Sequence, residues 1–383
     1  MKTFSIISNN VWVDEKFQPA AVNIKDNSIT SIGEQEYETV VNYQDNFVVP
    51  GFIDIHTHGY GGGDASDGHK ETIIEWCKNL PLEGVTTFLP GTVTRSEKRI
   101  IQALQSIASA IEEKPEGANI HGIFLQGPYT SHEYKGAYDP YLIQKPDIDQ
   151  FERFYEAANG QIKMAGIAPE KDEGHKVIKH IVSKGIKMSM GFSGVSYEEA
   201  IQAMNDGVRD VTHCFNGMAP LHHRKPALAG AALCCDELFV EIIADGIHVH
   251  PAIINLVGRM KGKERLIVIT DSSRYKGLKP GYYESVDRKV TIGEDGVGRL
   301  PDGTLAGSCI TMIQSVKNLQ ELGELPLVTA INAATINPAK FLGIDDKKGL
   351  LKDGFDADIT VFNKDYEILQ TYVMGKAQME VSK

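Results

Sequence analysis

From residue 48 to residue 270 short apolar runs alternate with amphipathic stretches, the pattern of repeated strand and helix units. Eight runs read as strands, beginning near Phe47, Gly84, Asn119, Ile162, Ile186, Asp210, Leu238 and Arg265. Between them lie helix-like segments. The segment 96–113 carries Ile100, Ile101, Leu104, Ile107 and Ile111 at helical spacing, a stripe that must face a core. Eight such repeats predict the α/β class and a closed (β/α)₈ TIM barrel over residues 47–349. Residues 1–46 and 350–383 read instead as short strands with turns. Neither end has apolar residues enough for its own core, so the two are expected to pair into one small β-sandwich-like domain. Residues 281–305 read as a hairpin excursion after strand eight, placed to help cover the barrel mouth.

Polar residues fall in a telling place along these runs. His56, His58, Gln126, His213, His248 and Asp271 each close an apolar run, which in a (β/α)₈ barrel is the face where chemistry is done. His56 and His58 stand at i and i+2, so on a strand both imidazoles point to one side and can grip one metal ion. Two histidines that merely cap a strand are the plain alternative. Asp271, in VITDSS, can complete a metal's coordination shell and take a proton from water that the metal has acidified. Its plain alternative is a helix cap.

Composition narrows the function class. Cys77, Cys214, Cys234, Cys235 and Cys309 form no CxxC pair, so a disulfide framework and a thiolate zinc site are both unsupported. A reducing, cytoplasmic setting is expected. The N-terminal stretch lacks a basic segment followed by an apolar one, and no segment approaches the roughly 18 apolar residues of a membrane span. A formal net charge of −12 with no Lys/Arg block speaks against nucleic acid as a partner. An anionic small molecule remains compatible, because a phosphate pocket needs only one or two cations and a few backbone N–H groups.

PGFIDIHTHG, an apolar strand ending in the histidine pair, resembles the first-strand motif of the amidohydrolase superfamily, and Asp271 resembles its eighth-strand aspartate. QGPYTSHEYKGAY, VTHCFNGMAPLHHRKPALAG, IIADGIHVHP and AGSCITM resemble, in order and spacing, the N-acetylglucosamine-6-phosphate deacetylase family over almost the whole chain. The resemblance implies a metal-dependent deacetylase acting on an amino-sugar phosphate, with one divalent ion, zinc first and Fe, Mn or Ni as alternatives. It implies that His213 is a metal ligand and that His248 meets the substrate near its acetamido carbonyl. It also implies that Asn216, the backbone of Gly217 and Arg224 hold the sugar phosphate, with Arg224 reaching into a neighbouring copy of a homodimer. A surface ion pair is the plain alternative for Arg224. His222 and His223 read as loop residues.

Three positions depart from that family. Its third strand ends in a metal-binding glutamate, where this chain has Gln126, a weak neutral oxygen ligand at best. Its fifth strand carries a metal-binding histidine, where this chain has Phe192. A substrate-facing histidine is replaced by Tyr138. Any metal is therefore expected at His56, His58 and Asp271, with the part played by His213 left open. Two further readings stand beside the deacetylase: a paralogue that binds a sugar phosphate without hydrolysis, and an amidohydrolase for a different amide.

Overall fold

The structure is a computed structural model that describes residues 2–284 and 289–379. Of the expected hairpin excursion, residues 285–288 lie outside the described residues, as do residues 1 and 380–383 of the expected terminal domain.

The eight barrel strands are β1 (Phe52–Thr57), β2 (Val85–Thr92), β3 (Ile123–Leu125), β4 (Ile162–Ile167), β5 (Lys187–Met190), β6 (Asp210–Val211), β7 (Phe239–Ile243) and β8 (Leu266–Ile269). They pair in chain order, every neighbour parallel. β8 and β1 meet just beyond the end of β8, where Asp271 N–H donates to the His56 carbonyl (2.9 Å) and His58 N–H to that of Ser272 (2.8 Å). These bonds close the barrel at the rim that carries the histidine pair.

Side chains alternate along the strands as a two-residue period demands. Leu266 and Val268 face the surrounding helices, whereas Ile267 and Ile269 face the interior with Ile53, Ile55, Leu89, Phe124, Met164 and Ile243. The helix Ile336–Leu342 supplies Phe341 and Leu342 to that interior cluster. The segment read as helical from its stripe forms the helix Glu97–Glu113, with Ile100, Leu104 and Ile107 buried against the barrel. It stops at Lys114, which is in the left-handed region and precedes Pro115.

The first expected strand is two strands. Phe47–Pro50 pairs with Thr3–Val13 and Ile359–Phe362 in a sheet outside the barrel, and the chain then crosses into β1. The break falls at Pro50-Gly51, where proline has no N–H to donate and the Gly51 N–H turns to Asp358 O (2.9 Å). That outer sheet runs through seven strands in line, drawn from both chain ends, with an eighth, Val40–Asn42, pairing beside Thr3–Val13. Phe4, Ile6, Val22, Ile24, Ile359 and Val361 form its own buried cluster, so the ends pool the apolar residues that each lacks alone.

Candidate active site

β1 delivers His56 and His58 to the rim, and β8 delivers Asp271 beside them. His56 Nε2 and His58 Nε2 lie 3.0 Å apart, and Asp271 Oδ1 is 3.4 and 3.3 Å from them. Both histidines are buried, and the Asp271 side chain keeps 13% exposure. The other ring nitrogens are committed to acceptors: His56 Nδ1 meets Glu241 Oε2 at 2.7 Å, and His58 Nδ1 meets Gly91 O at 2.7 Å. Each Nδ1 therefore holds a proton, and each Nε2 turns a lone pair to the same point. Gly91 is required here, because a Cβ would stand 2.8 Å from the His58 ring.

Two lone pairs and a carboxylate crowded into one spot repel each other unless a positive charge, a metal ion or a proton on His58, sits among them. Their spacings match those of atoms each about 2.0–2.2 Å from one ion. The residues thus fit a divalent metal on chemistry as well as distance. Among the described residues this is the one group of three metal-capable side chains gathered tightly enough to hold an ion.

His213 stands next to the group without joining it. Its ring centre is 5.5 Å from that of His56, and its Nδ1 is buried without a hydrogen-bond partner. Gln126 is buried and its Nε2 lies 2.8 Å from His56 Nε2, while its Oε1 accepts the Tyr138 hydroxyl at 2.5 Å. As placed, its oxygen faces Tyr138, away from the ligand group. The Tyr138 ring packs on Phe192 with centres 4.7 Å apart, and Phe192 meets the His213 ring edge-on at 4.7 Å. The three departures are therefore one packed unit, and it ends on His213. Phe192, His213 and Asp271 all have positive φ (49°, 30° and 44°), a conformation that costs energy in a non-glycine residue and clusters at functional sites.

Burial drives the pKa of His56 and of His213 down to about 4, although Asp271 pulls each upward. Burial also opposes a charged His58, but the hydrogen bond and charge of Asp271 overcome it and raise that pKa. For Asp271 burial works upward, and the neighbouring imidazoles hold its carboxyl well below the usual range. The sign for stability follows. Unfolded imidazoles take up protons from about pH 6.5 downward, whereas His56 and His213 resist until about pH 4. Unfolding of the metal-free protein is then linked to proton uptake. His58 and the buried acids Glu241, Asp210 and Asp54, whose carboxyls burial pushes up, act in the opposite sense. The contribution of His213 is therefore isolated by comparison: the Tm of His213→Ala relative to wild type is expected to rise as pH is lowered from about 6.5 towards 4, which scanning calorimetry checks.

The group opens into a cavity of about 300 Å³, lined among others by Tyr138, Phe192, Asn216, Gly217 and His248. His248 Nδ1 is held by Asp245 Oδ2 at 2.6 Å, which leaves Nε2 for the cavity. Thr304 and Leu305, at the end of the expected excursion, also line it. Arg224 is not brought there within one chain. It lies on an exposed turn with Nη1 2.8 Å from His223 Nε2. Sequence reasoning passed over Arg95 and Arg274, which line the cavity, and Glu241, which holds His56. Arg274 is tied to Asp67 at 2.7 Å. A signal for Glu241 existed: it is the lone charge in FVEII, at the same two-residue phase as Phe239 and Ile243.

Comparison with known proteins gives the family. Residues 47–378 match the amidohydrolase family. The N-acetylglucosamine-6-phosphate deacetylase of Bacillus subtilis is 35% identical over 98% of this chain and 96% of its own. The N-acetylgalactosamine-6-phosphate deacetylase of Escherichia coli O157:H7 is 31% identical over 97% of each. A mutant of the Mycobacterium smegmatis N-acetyl-D-glucosamine-6-phosphate deacetylase, solved in complex with N-acetyl-D-glucosamine-6-phosphate, superposes with a TM-score of 0.92 at 28% identity, covering 99% of this chain and 100% of that one. Among the described residues no helix is long and apolar enough to cross a membrane.

Proposed function

The chain belongs to the amidohydrolase family, among the N-acetylglucosamine-6-phosphate deacetylases, and from that premise we propose that it releases acetate from N-acetylglucosamine 6-phosphate with one divalent ion, zinc first. The observation that carries this is the convergence of His56 Nε2, His58 Nε2 and Asp271 Oδ1 at the floor of a cavity that Asn216 and His248 also line.

Those three atoms would hold the ion, which when bound supplies Lewis acidity and lowers the pKa of water to about 7. Asp271 accepts a proton from the attacking water as the new C–O bond forms at the acetamido carbon. As the C–N bond breaks, the same carboxyl returns that proton to the leaving nitrogen, giving the free amine and acetic acid, which loses the second water proton to leave as acetate. His248, steadied by Asp245, is placed to donate to the acetamido oxygen. Asn216 and the backbone N–H of Gly217 are suited to phosphate oxygens as neutral donors. Tyr138 stands where the family's substrate-facing histidine would be.

An exposed Arg224 supports a homodimer in which each copy lends its guanidinium to the other's phosphate subsite. All five cysteines are free, which suits the cytoplasm.

The test is acetate release by the zinc-loaded protein, with N-acetylglucosamine 6-phosphate and its galacto epimer compared. Bound metal with no acetate from either would overturn the deacetylase reading. Metal analysis should find close to one ion per chain. Gln126→Glu combined with Phe192→His should raise that towards two, because it replaces a neutral amide and an apolar ring by two ligands beside His213. A ratio unchanged at one would mean that the rest of the packed unit still fills the second position.

A further inference from the structure

Glu241 lies in the middle of β7, at the same two-residue phase as Phe239 and Ile243 of the interior cluster, with no solvent exposure. A carboxyl group in such surroundings is costly unless its oxygens are used. One is. Oε2 accepts from His56 Nδ1 at 2.7 Å and from the backbone N–H of His213 at 3.0 Å. The other, Oε1, has no hydrogen-bond partner. A leucine here would match the phase of Phe239 and Ile243 and avoid that cost, so packing alone does not account for the acid.

What the acid does is join two strand ends. Oε2 holds the ring of His56 at the end of β1 and the backbone of His213 just beyond β6, where φ is 30°. By accepting the hydrogen bond from Nδ1–H it also selects the tautomer of His56 whose Nε2 lone pair faces His58 and Asp271. In the metal-free protein Gln126 agrees with that tautomer, its N–H occupying the His56 lone pair that an ion would take. Because the Tyr138 hydroxyl donates to Gln126 Oε1, the amide presents N–H to His56 Nε2, which must then accept.

We propose that Glu241 is the positioning residue of the metal site, fixing both the tautomer of His56 and the backbone of His213 through one carboxylate oxygen. This rests on the reading of His56, His58 and Asp271 as a metal site, and it adds a residue outside that set. Carboxylates behind ligating histidines typically change metal affinity by about 10–100-fold.

The experiment uses the full-length protein, with zinc affinity measured by chelator competition and the His56 tautomer by two-bond ¹⁵N–¹H correlation spectra of the metal-free form. Glu241→Leu is expected to weaken zinc by about 10–100-fold and to release His56 from the Nδ1–H tautomer. Glu241→Gln keeps an oxygen in place for both donors and should recover most of the affinity and the tautomer. Glu241→Asp, one methylene shorter, withdraws from both donors and should resemble leucine, which preserves the test if the leucine variant does not fold. Equal zinc affinity and an unchanged tautomer in the leucine and aspartate variants would overturn the proposal. A wild type that takes up no zinc but holds His56 as Nδ1–H would overturn the metal reading while leaving Glu241 as the group that orients His56.

Discussion

Asp271→Asn lowers kcat for acetate release by about 10²–10⁴-fold, the range for losing a positioned acid–base group, and leaves the circular dichroism spectrum unchanged. Asparagine keeps the size of the side chain and one oxygen towards His56 and His58. It loses the charge and the capacity to take a proton from water. Asp271 Oδ1 is 3.4 and 3.3 Å from the two Nε2 atoms, so the substitution removes the anion from the point where the lone pairs meet. Turnover and metal content measured on one preparation separate the two losses. Full metal with little turnover assigns Asp271 mainly to proton transfer, and an empty site with little turnover assigns it mainly to holding the ion. Turnover within twofold of wild type would remove Asp271 from the mechanism.

The second large effect is on metal retention. His58→Ala withdraws one of the two nitrogen donors and is expected to weaken zinc by more than the roughly 10–100-fold that a supporting group commands. Inductively coupled plasma mass spectrometry after dialysis should then find the variant close to empty while the wild type keeps about one ion. Loss of acetate release should follow metal loss in proportion, and excess zinc should restore part of it. His213→Ala provides the contrast. Its ring lies outside the tight group, so it should keep its zinc, and loss of metal from that variant would promote His213 to a ligand.

Much of the barrel was legible because its signal is periodic. Alternating strands and striped helices follow from burial on fixed faces, and the histidine pair was visible because strand spacing puts i and i+2 on one side. The crossing at Pro50-Gly51 was not. FVVPGFIDIHTHG is apolar on both sides of the break, and only the partners, one in the outer sheet and one in the barrel, distinguish its halves. The departures at Gln126, Tyr138 and Phe192 were each legible as substitutions. That they touch one another depends on loop conformation and on positive φ at Phe192, which side-chain type does not announce. Glu241 was overlooked for a related reason. Its meaning lies in a ring nitrogen 185 positions earlier in the chain, and only the closed barrel brings the two together.

The closing seam between β8 and β1 bears on how the protein is made. Thr57 and Ser272, hydrogen-bonded across that seam at 2.7 Å, are 215 positions apart. Such a contact carries a large loop-closure cost, because it joins distant parts of the chain. The same seam brings Asp271 to the histidine pair, so an ion bound there favours the fully closed chain over every form in which the last strand is still loose. Metal supply and completion of folding are thereby linked. In a cell poor in the ion, the open-seam forms lose that advantage and are the species left to chaperones and proteases.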